Sequence, residues 1–137
     1  ERSWQHETVA ELLRGLPRRD VLVADSADTV ADSVMVMKER GVSQLPVCDA
    51  GRLIGIITES DLLSRLVEGN ANLSSTVAEV MFRKVVTVHP GDDAGILTKL
   101  FAQGLVGLVV DDESRLQGIV TKMDLVDHLT RSVEASA

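Results

Sequence analysis

Apolar residues recur at helical spacing three times before residue 70 and three times after it. Val9, Leu12, Leu13 and Leu16 mark a helix over Thr8–Leu16, opened by Thr8 and Glu11 as a capping box and stopped by Pro17. Val21–Ala24 reads as a brief strand. Asp28 and Thr29 open a second helix, with Thr29 and Asp32 as another box, Val30, Val34 and Met37 as the buried stripe and Gly41 as C-cap. Gln44–Asp49 and Leu53–Thr58 are two strands joined by the tight Asp49-Ala50-Gly51 turn. Pro46 places the first of them near an edge or a break in pairing. Ser60–Val67 closes the set as a helix with Leu62, Leu63, Leu66 and Val67 on one face.

The same text is then written again. LIGIITESDLL, Leu53–Leu63, returns as LQGIVTKMDLV, Leu116–Val126, and TVAELL at Thr8 returns as TVAEVM at Thr76. Gly55 and Gly118, Thr58 and Thr121, Asp61 and Asp124 are each 63 positions apart (118−55, 121−58, 124−61). In the second copy Val85–Val88 is the strand, Asp92–Gln103 the helix, Val106–Asp111 and Leu116–Thr121 the strand pair, and Met123–Thr130 the closing helix with Leu125, Val126 and Leu129 inward. The turn DDES, Asp111–Ser114, stands where the first copy has DAG, Asp49–Gly51, one residue longer, which moves the register from 62 to 63. Gly69–Ser75 is a linker of turn formers, Glu1–Glu7 a polar lead-in around Trp4, and Arg131–Ala137 a fraying tail. Two half-domains of about 60 residues are individually marginal, so each is expected to bury its sheet against its twin, giving pseudo-twofold symmetry and sites in pairs.

Composition narrows the functional classes. The chain of 137 residues is 45% hydrophobic and 26% charged, which suits a folded domain. Aromatics make up only 2% and the formal net charge is −7, so a base-stacking platform and a basic face for nucleic acid or anionic membrane are both missing. No apolar run approaches a membrane span and no signal peptide precedes the first helix, an expectation of cytoplasmic location. The start at Glu1 suggests a processed or excised fragment. Cys48 lies in an apolar run and reads as a small buried hydrophobe. His6, His89 and His128 share no metal-ligand spacing, and no nucleophile, base and orienter cluster or glycine-rich phosphate loop occurs. Asp92 and Asp93 are expected to cap a helix, and Met35 and Met37 to lie in the core or at a dimer interface.

The chemistry therefore concentrates at the two T-x-x-D turns. A strand that feeds a helix through a polar turn offers backbone N–H groups and the positive end of a helix dipole to a ligand. A carboxylate there accepts two hydrogen bonds at once and suits a vicinal diol. The plain alternative is a capping box with no ligand, and capping and binding are compatible.

GVSQLPV followed by D-x-G-x-L-I-G-I-I-T-x-x-D-L-L, repeated as GLVGLVVDDESRLQGIVTKMDLV, resembles a tandem pair of CBS domains, the Bateman module, over Thr8 to about Thr130. The resemblance divides the chain into lead-in 1–7, first motif 8–69, linker 70–75, second motif 76–131 and tail 132–137. It implies an α/β (α+β) fold of two CBS half-domains, each a short, mainly three-stranded sheet packed by helices. TVAELLR, the LVEGNANLSSTVAEVM connection and GIVTKMDLVDHL look most like the C-terminal regulatory region of cystathionine β-synthase, whose catalytic domain, binding pyridoxal phosphate, would precede Glu1.

What the family implies is a regulatory module that is not itself an enzyme. Its adenosine-containing ligands are S-adenosylmethionine, AMP, ADP or ATP, held in interdomain clefts, and its modules commonly pair into homodimers. Carried over, one site combines Thr121 and Asp124 with Val42, Ser43, Gln44 and Leu45, and with Val23 and Ala24. The other combines Thr58 and Asp61 with Leu105, Val106 and Gly107, and with Thr87 and Val88. The aspartate takes the ribose hydroxyls, and strand backbone meets the adenine edge. Gly107-Leu108 stands where the first half has Leu45-Pro46, a departure from the family's proline. His89 either lies on the surface or touches a phosphate in the second site. Lys122 is the obvious basic residue near the first site, which favours S-adenosylmethionine over a triphosphate. A free-standing AMP or ATP energy sensor and a constitutive dimerisation module with empty clefts are the alternatives left open.

Overall fold

The computed structural model describes residues 4–17 and 21–136. Trp4–His6 is a single 3-10 turn. After it come α1 (Val9–Gly15), β1 (Ala24–Asp25), α2 (Val30–Arg40), β2 (Gln44–Asp49), β3 (Arg52–Thr58), α3 (Glu59–Glu68) and α4 (Val77–Val80). The second series is β4 (Thr87–Val88), α5 (Ile96–Ala102), β5 (Gly107–Val110), β6 (Leu116–Val120) and α6 (Lys122–Ser136). The strands form two three-stranded sheets, β1-β2-β3 and β4-β5-β6, each with one parallel and one antiparallel pairing. The architecture is mixed α/β, with each sheet packed by helices.

The chain divides into two compact units that do not follow the repeat. One is Leu22–Val85; the other joins the segment before it to the chain from Val86 onward. The helix that opens each repeat in sequence is packed in the core of the other repeat's sheet. Val9 and Leu12 of α1 are fully buried among Val88, Leu97, Phe101, Val109 and Val120. Val77, Val80 and Met81 are buried among Ala24, Val30, Leu45, Val47 and Ile57.

Backbone hydrogen bonds join the helix starts in each unit. Val77 N–H donates to Asp28 O at 2.8 Å and Val30 N–H to Ser75 O at 2.8 Å, with Thr29 and Thr76 paired across an antiparallel bridge. In the other unit Val9 N–H donates to Asp92 O at 2.8 Å and Ala94 N–H to Glu7 O at 2.7 Å. Donors that a helix start leaves without an intrahelical partner are thus satisfied by the neighbouring start.

Local signals fall where the residue chemistry places them. Thr29 and Asp32 form the reciprocal box on α2, and Gly41 caps its end at φ 65°. Ala50 and Gly51, both at positive φ, make the β2–β3 turn. Other expectations are corrected. Leu63, Val67 and Val126, assigned inward, are 63%, 77% and 54% exposed, because Leu62 and Leu125 occupy the edge of the stripe that reaches a narrow sheet. Helix α5 begins at Ile96 rather than Asp92: the Asp92 carboxylate accepts the His89 N–H at 2.8 Å, closing a turn, and Gly95 makes a poor first turn. Helix α6 continues through Ser136, where a fraying tail was expected. The strands expected over Val21–Ala24 and Val85–Val88 are the two-residue β1 and β4.

Pro46 lies in the central strand of its sheet, paired on one side with Ile56. Its other side has no partner, because β1 begins pairing one residue later, at Ala24 opposite Val47. Leu108, the equivalent of Pro46, has an N–H, and there β4 does pair, Thr87 opposite Leu108. The missing proline therefore moves the parallel pairing by one residue, while both antiparallel ladders keep a register shift at the equivalent place, Val47/Cys48 and Val109/Val110. No helix among the described residues is long and apolar enough to cross a membrane.

Candidate ligand-binding site

Each T-x-x-D turn forms where the antiparallel ladder ends, on Thr58 in one unit and on Val120, just before Thr121, in the other. Thr58, opposite Gln44 in the ladder, is the N-cap of α3 in extended conformation, and its Oγ1 accepts the Asp61 N–H at 3.2 Å. Thr121 follows Val120, the partner of Gly107, and its Oγ1 accepts the Asp124 N–H at 3.1 Å. Both aspartates sit in the first turn of a helix, where the dipole favours a negative charge.

The two carboxylates are held differently. Asp124 Oδ2 accepts the Thr121 N–H at 2.9 Å, closing a reciprocal box, and the residue is only 8% exposed. Asp61 Oδ2 instead accepts Arg65 Nε at 3.0 Å, an ion pair one helical turn along. The residue four positions after Asp124 is His128, which approaches Glu7 at 3.5 Å. Sequence reasoning passed over Arg65; its signal was the D-x-x-x-R spacing on a helix.

Beside Thr58 and Asp61 the Leu22–Val85 unit brings Val23, Ala24, Val42, Ser43, Gln44 and Leu45. Ser43 O accepts the Glu59 N–H at 2.8 Å, tying that strand entry to the start of α3. Leu45 and Ala24 are buried, whereas Val23 and Ser43 are exposed. Beside Thr121 and Asp124 the second unit brings Thr87, Val88, Leu105, Val106 and Gly107 in the same arrangement. Leu105 is exposed, Val88 and Gly107 are buried, and Thr87 and Val106 are half-buried. Both sets proposed from the sequence thus take their strand residues from one unit and their T-x-x-D from the other. His89 is exposed. Burial, and then the charge of Asp25, pushes the Cys48 thiol above its ordinary pKa. Among the described residues, no group of three or more His, Cys, Asp or Glu could hold a metal ion.

A family model for the CBS domain matches residues 9–68 and 77–131. The chain belongs to the CBS domain family. Among its relatives, an uncharacterised protein of Methanocaldococcus jannaschii is 31% identical over 123 residues, covering 80% of this chain and 44% of the relative. Cystathionine β-synthase of Oryctolagus cuniculus is 28% identical over 136 residues, covering 90% of this chain and 24% of the enzyme. The solved CBS domain pair of protein MJ0100, in complex with 5′-methylthioadenosine and S-adenosylmethionine, matches with a TM-score of 0.70 and 26% identity. That match covers 91% of this chain and 97% of the other. The chain spans between 19% and 58% of the length of the curated relatives compared.

Proposed function

We propose that this chain is a regulatory module that binds an adenosine-containing ligand and thereby controls an attached or partner enzyme. One observation carries the proposal: a strand-to-helix junction, present twice, in which a threonine hydroxyl caps the aspartate that follows, with Asp124 held almost buried. An ionised carboxylate accepts hydrogen bonds side by side and suits the 2′ and 3′ hydroxyls of ribose. In this reading Thr121 and Asp124 take the ribose while backbone of Val42, Ser43, Gln44 and Leu45, with Val23 and Ala24, meets the adenine edge. Thr58 and Asp61 serve the second ligand position with Leu105, Val106, Gly107, Thr87 and Val88.

S-adenosylmethionine is favoured over AMP, ADP or ATP. A sulfonium cation is attracted toward a region whose T-x-x-D carries a buried carboxylate, whereas polyphosphates recruit more Arg and Lys than Lys122 alone supplies. The MJ0100 pair, which holds S-adenosylmethionine, supports this preference. Control requires that the ligand bind one arrangement of the protein more tightly than another. The cytoplasmic enzyme controlled is of the cystathionine β-synthase kind, a reading supported by the rabbit relative. The module works as a homodimer, a reading supported by the exposed apolar residues Met35, Leu63 and Val67 on α2 and α3.

Isothermal titration calorimetry with S-adenosylmethionine tests the proposal. Micromolar binding that disappears in Asp124→Ala, with folding and oligomeric state unchanged by light scattering, is the expected result. A folded protein that takes up neither S-adenosylmethionine nor AMP nor ATP would defeat it.

A further inference from the structure

We propose that Phe82, Arg83 and Lys84 form a docking surface for an acidic segment of the controlled enzyme, one that carries an apolar side chain among its carboxylates. The inference rests on the reading of this chain as a module that controls such an enzyme. The formal net charge is −7, yet no acidic residue stands between Glu79 and Asp92, and Arg83 and Lys84 both lie in that stretch. Both cations are exposed, and Phe82 beside them is 46% exposed. Among the described residues neither cation has an ion-pair partner: Asp61 turns to Arg65, Glu113 to Arg115 and Asp127 to Arg131. The nearest acid in sequence, Glu79, is engaged by the Thr76 N–H at 3.2 Å.

Backbone holds this surface in shape. Phe82 N–H donates to Ile56 O and Ile56 N–H to Phe82 O, both at 2.9 Å, so the segment lies along β3 as an antiparallel bridge. The approach is close, since Phe82 O is the atom that a Cβ at Gly55 would meet at 2.6 Å. Met81, just before, is buried. An exposed aromatic ring on fixed backbone loses little freedom when a partner covers it, and aromatic and arginine side chains are enriched at protein interfaces. Arg83 suits a carboxylate with two parallel hydrogen bonds and Lys84 suits one as a point charge, while Phe82 takes the apolar side chain between them. The acidic remainder of the chain repels such a partner and confines it to this stretch.

The test uses a fluorescein-labelled peptide of glutamates flanking a pair of leucines, with its glutamine counterpart as control, read by anisotropy on the whole chain. Saturable binding of the glutamate peptide alone is the expected result. Arg83→Gln with Lys84→Gln should weaken it about three- to ten-fold, and Phe82→Ala about five- to ten-fold. Circular dichroism and S-adenosylmethionine calorimetry should be unchanged in both variants, because the three side chains are exposed and the Ile56–Phe82 bonds are made by backbone. No binding of the glutamate peptide, equal binding of the two peptides, or full affinity in the substituted proteins overturns the docking surface. So does displacement of the peptide by ATP, which gives the cations to a phosphate-bearing ligand, or capture by phosphatidylserine vesicles in place of the peptide. Peptide docking in a protein that takes up neither S-adenosylmethionine nor AMP nor ATP defeats the ligand-binding reading instead and leaves this surface standing.

Discussion

Thr121 and Asp124 hold each other at the start of α6: the carboxylate accepts the Thr121 N–H at 2.9 Å and the Thr121 hydroxyl accepts the Asp124 N–H at 3.1 Å. The equivalent Thr58 and Asp61 share only the second of these bonds, since the Thr58 backbone stays in the β3 ladder and Asp61 turns to Arg65. One duplicated sequence motif thus yields one carboxylate that closes back on its own threonine's N–H and one that turns to an arginine a helical turn along.

That difference is expected to appear in stability. Asp124→Ala removes a buried acceptor and strands the Thr121 N–H, costing about 1–2 kcal/mol. Asp61→Ala removes a part-exposed ion pair and costs about 0.2–1 kcal/mol. Urea denaturation of the two variants should rank them in this order; equal losses would remove the distinction.

Two glycines in equivalent positions answer differently to a methyl group. A Cβ at Gly55 would lie 2.6 Å from the Phe82 carbonyl oxygen, a backbone atom that cannot move aside, and 2.7 Å from Met81 Sδ. At Gly118 the nearest atom is Leu13 Cδ2 at 3.1 Å, the end of a flexible side chain. Gly55→Ala is expected to cost about 1–3 kcal/mol and Gly118→Ala less than about 1 kcal/mol, read from the denaturation midpoints.

Leu12 of α1 is fully buried in the core that contains Val88, Leu97 and Phe101, and Trp4 packs against that same core. Leu12→Ala is expected to cost about 2–5 kcal/mol. The single tryptophan reports it directly: Trp4 emission should shift to longer wavelength at lower urea than in the parent. Hydrogen exchange should show the loss in Val86–Leu129 more than in β2 and β3.

Cys48 makes stability fall in alkali. The folded thiol has a pKa above its ordinary 9.0, first through burial and then through Asp25, so the unfolded chain gives up its proton earlier. Above the ordinary pKa the unfolded state therefore binds fewer protons, and stability declines until pH passes the folded value. Cys48→Ala should flatten that decline between pH 8 and 10 in chemical denaturation, and the native thiol should react slowly with a disulfide reagent across roughly the same range.

Much of this protein is legible locally. The Thr29–Asp32 box, the Gly41 cap, the Asp49–Arg52 turn and both T-x-x-D junctions follow from residues three or four apart, and each forms in the structure because its hydrogen bonds close within one turn. Amphipathic spacing identified the helices but overestimated their buried faces at Leu63, Val67 and Val126, since the width of the sheet beneath a helix is not written in the helix. Nor does the helix text say which core it joins. TVAELL and TVAEVM are nearly the same string, so their placement was decided at long range, by Val9 N–H on Asp92 O and Val77 N–H on Asp28 O, with Leu13 set over Gly118 and Met81 over Gly55. The same holds at the site: sequence alone located two equivalent aspartates at two equivalent turns. Only the folded structure shows the Asp124 carboxylate returning to the Thr121 N–H and the Asp61 carboxylate reaching Arg65, because the direction a carboxylate turns depends on the donors the fold brings within its reach.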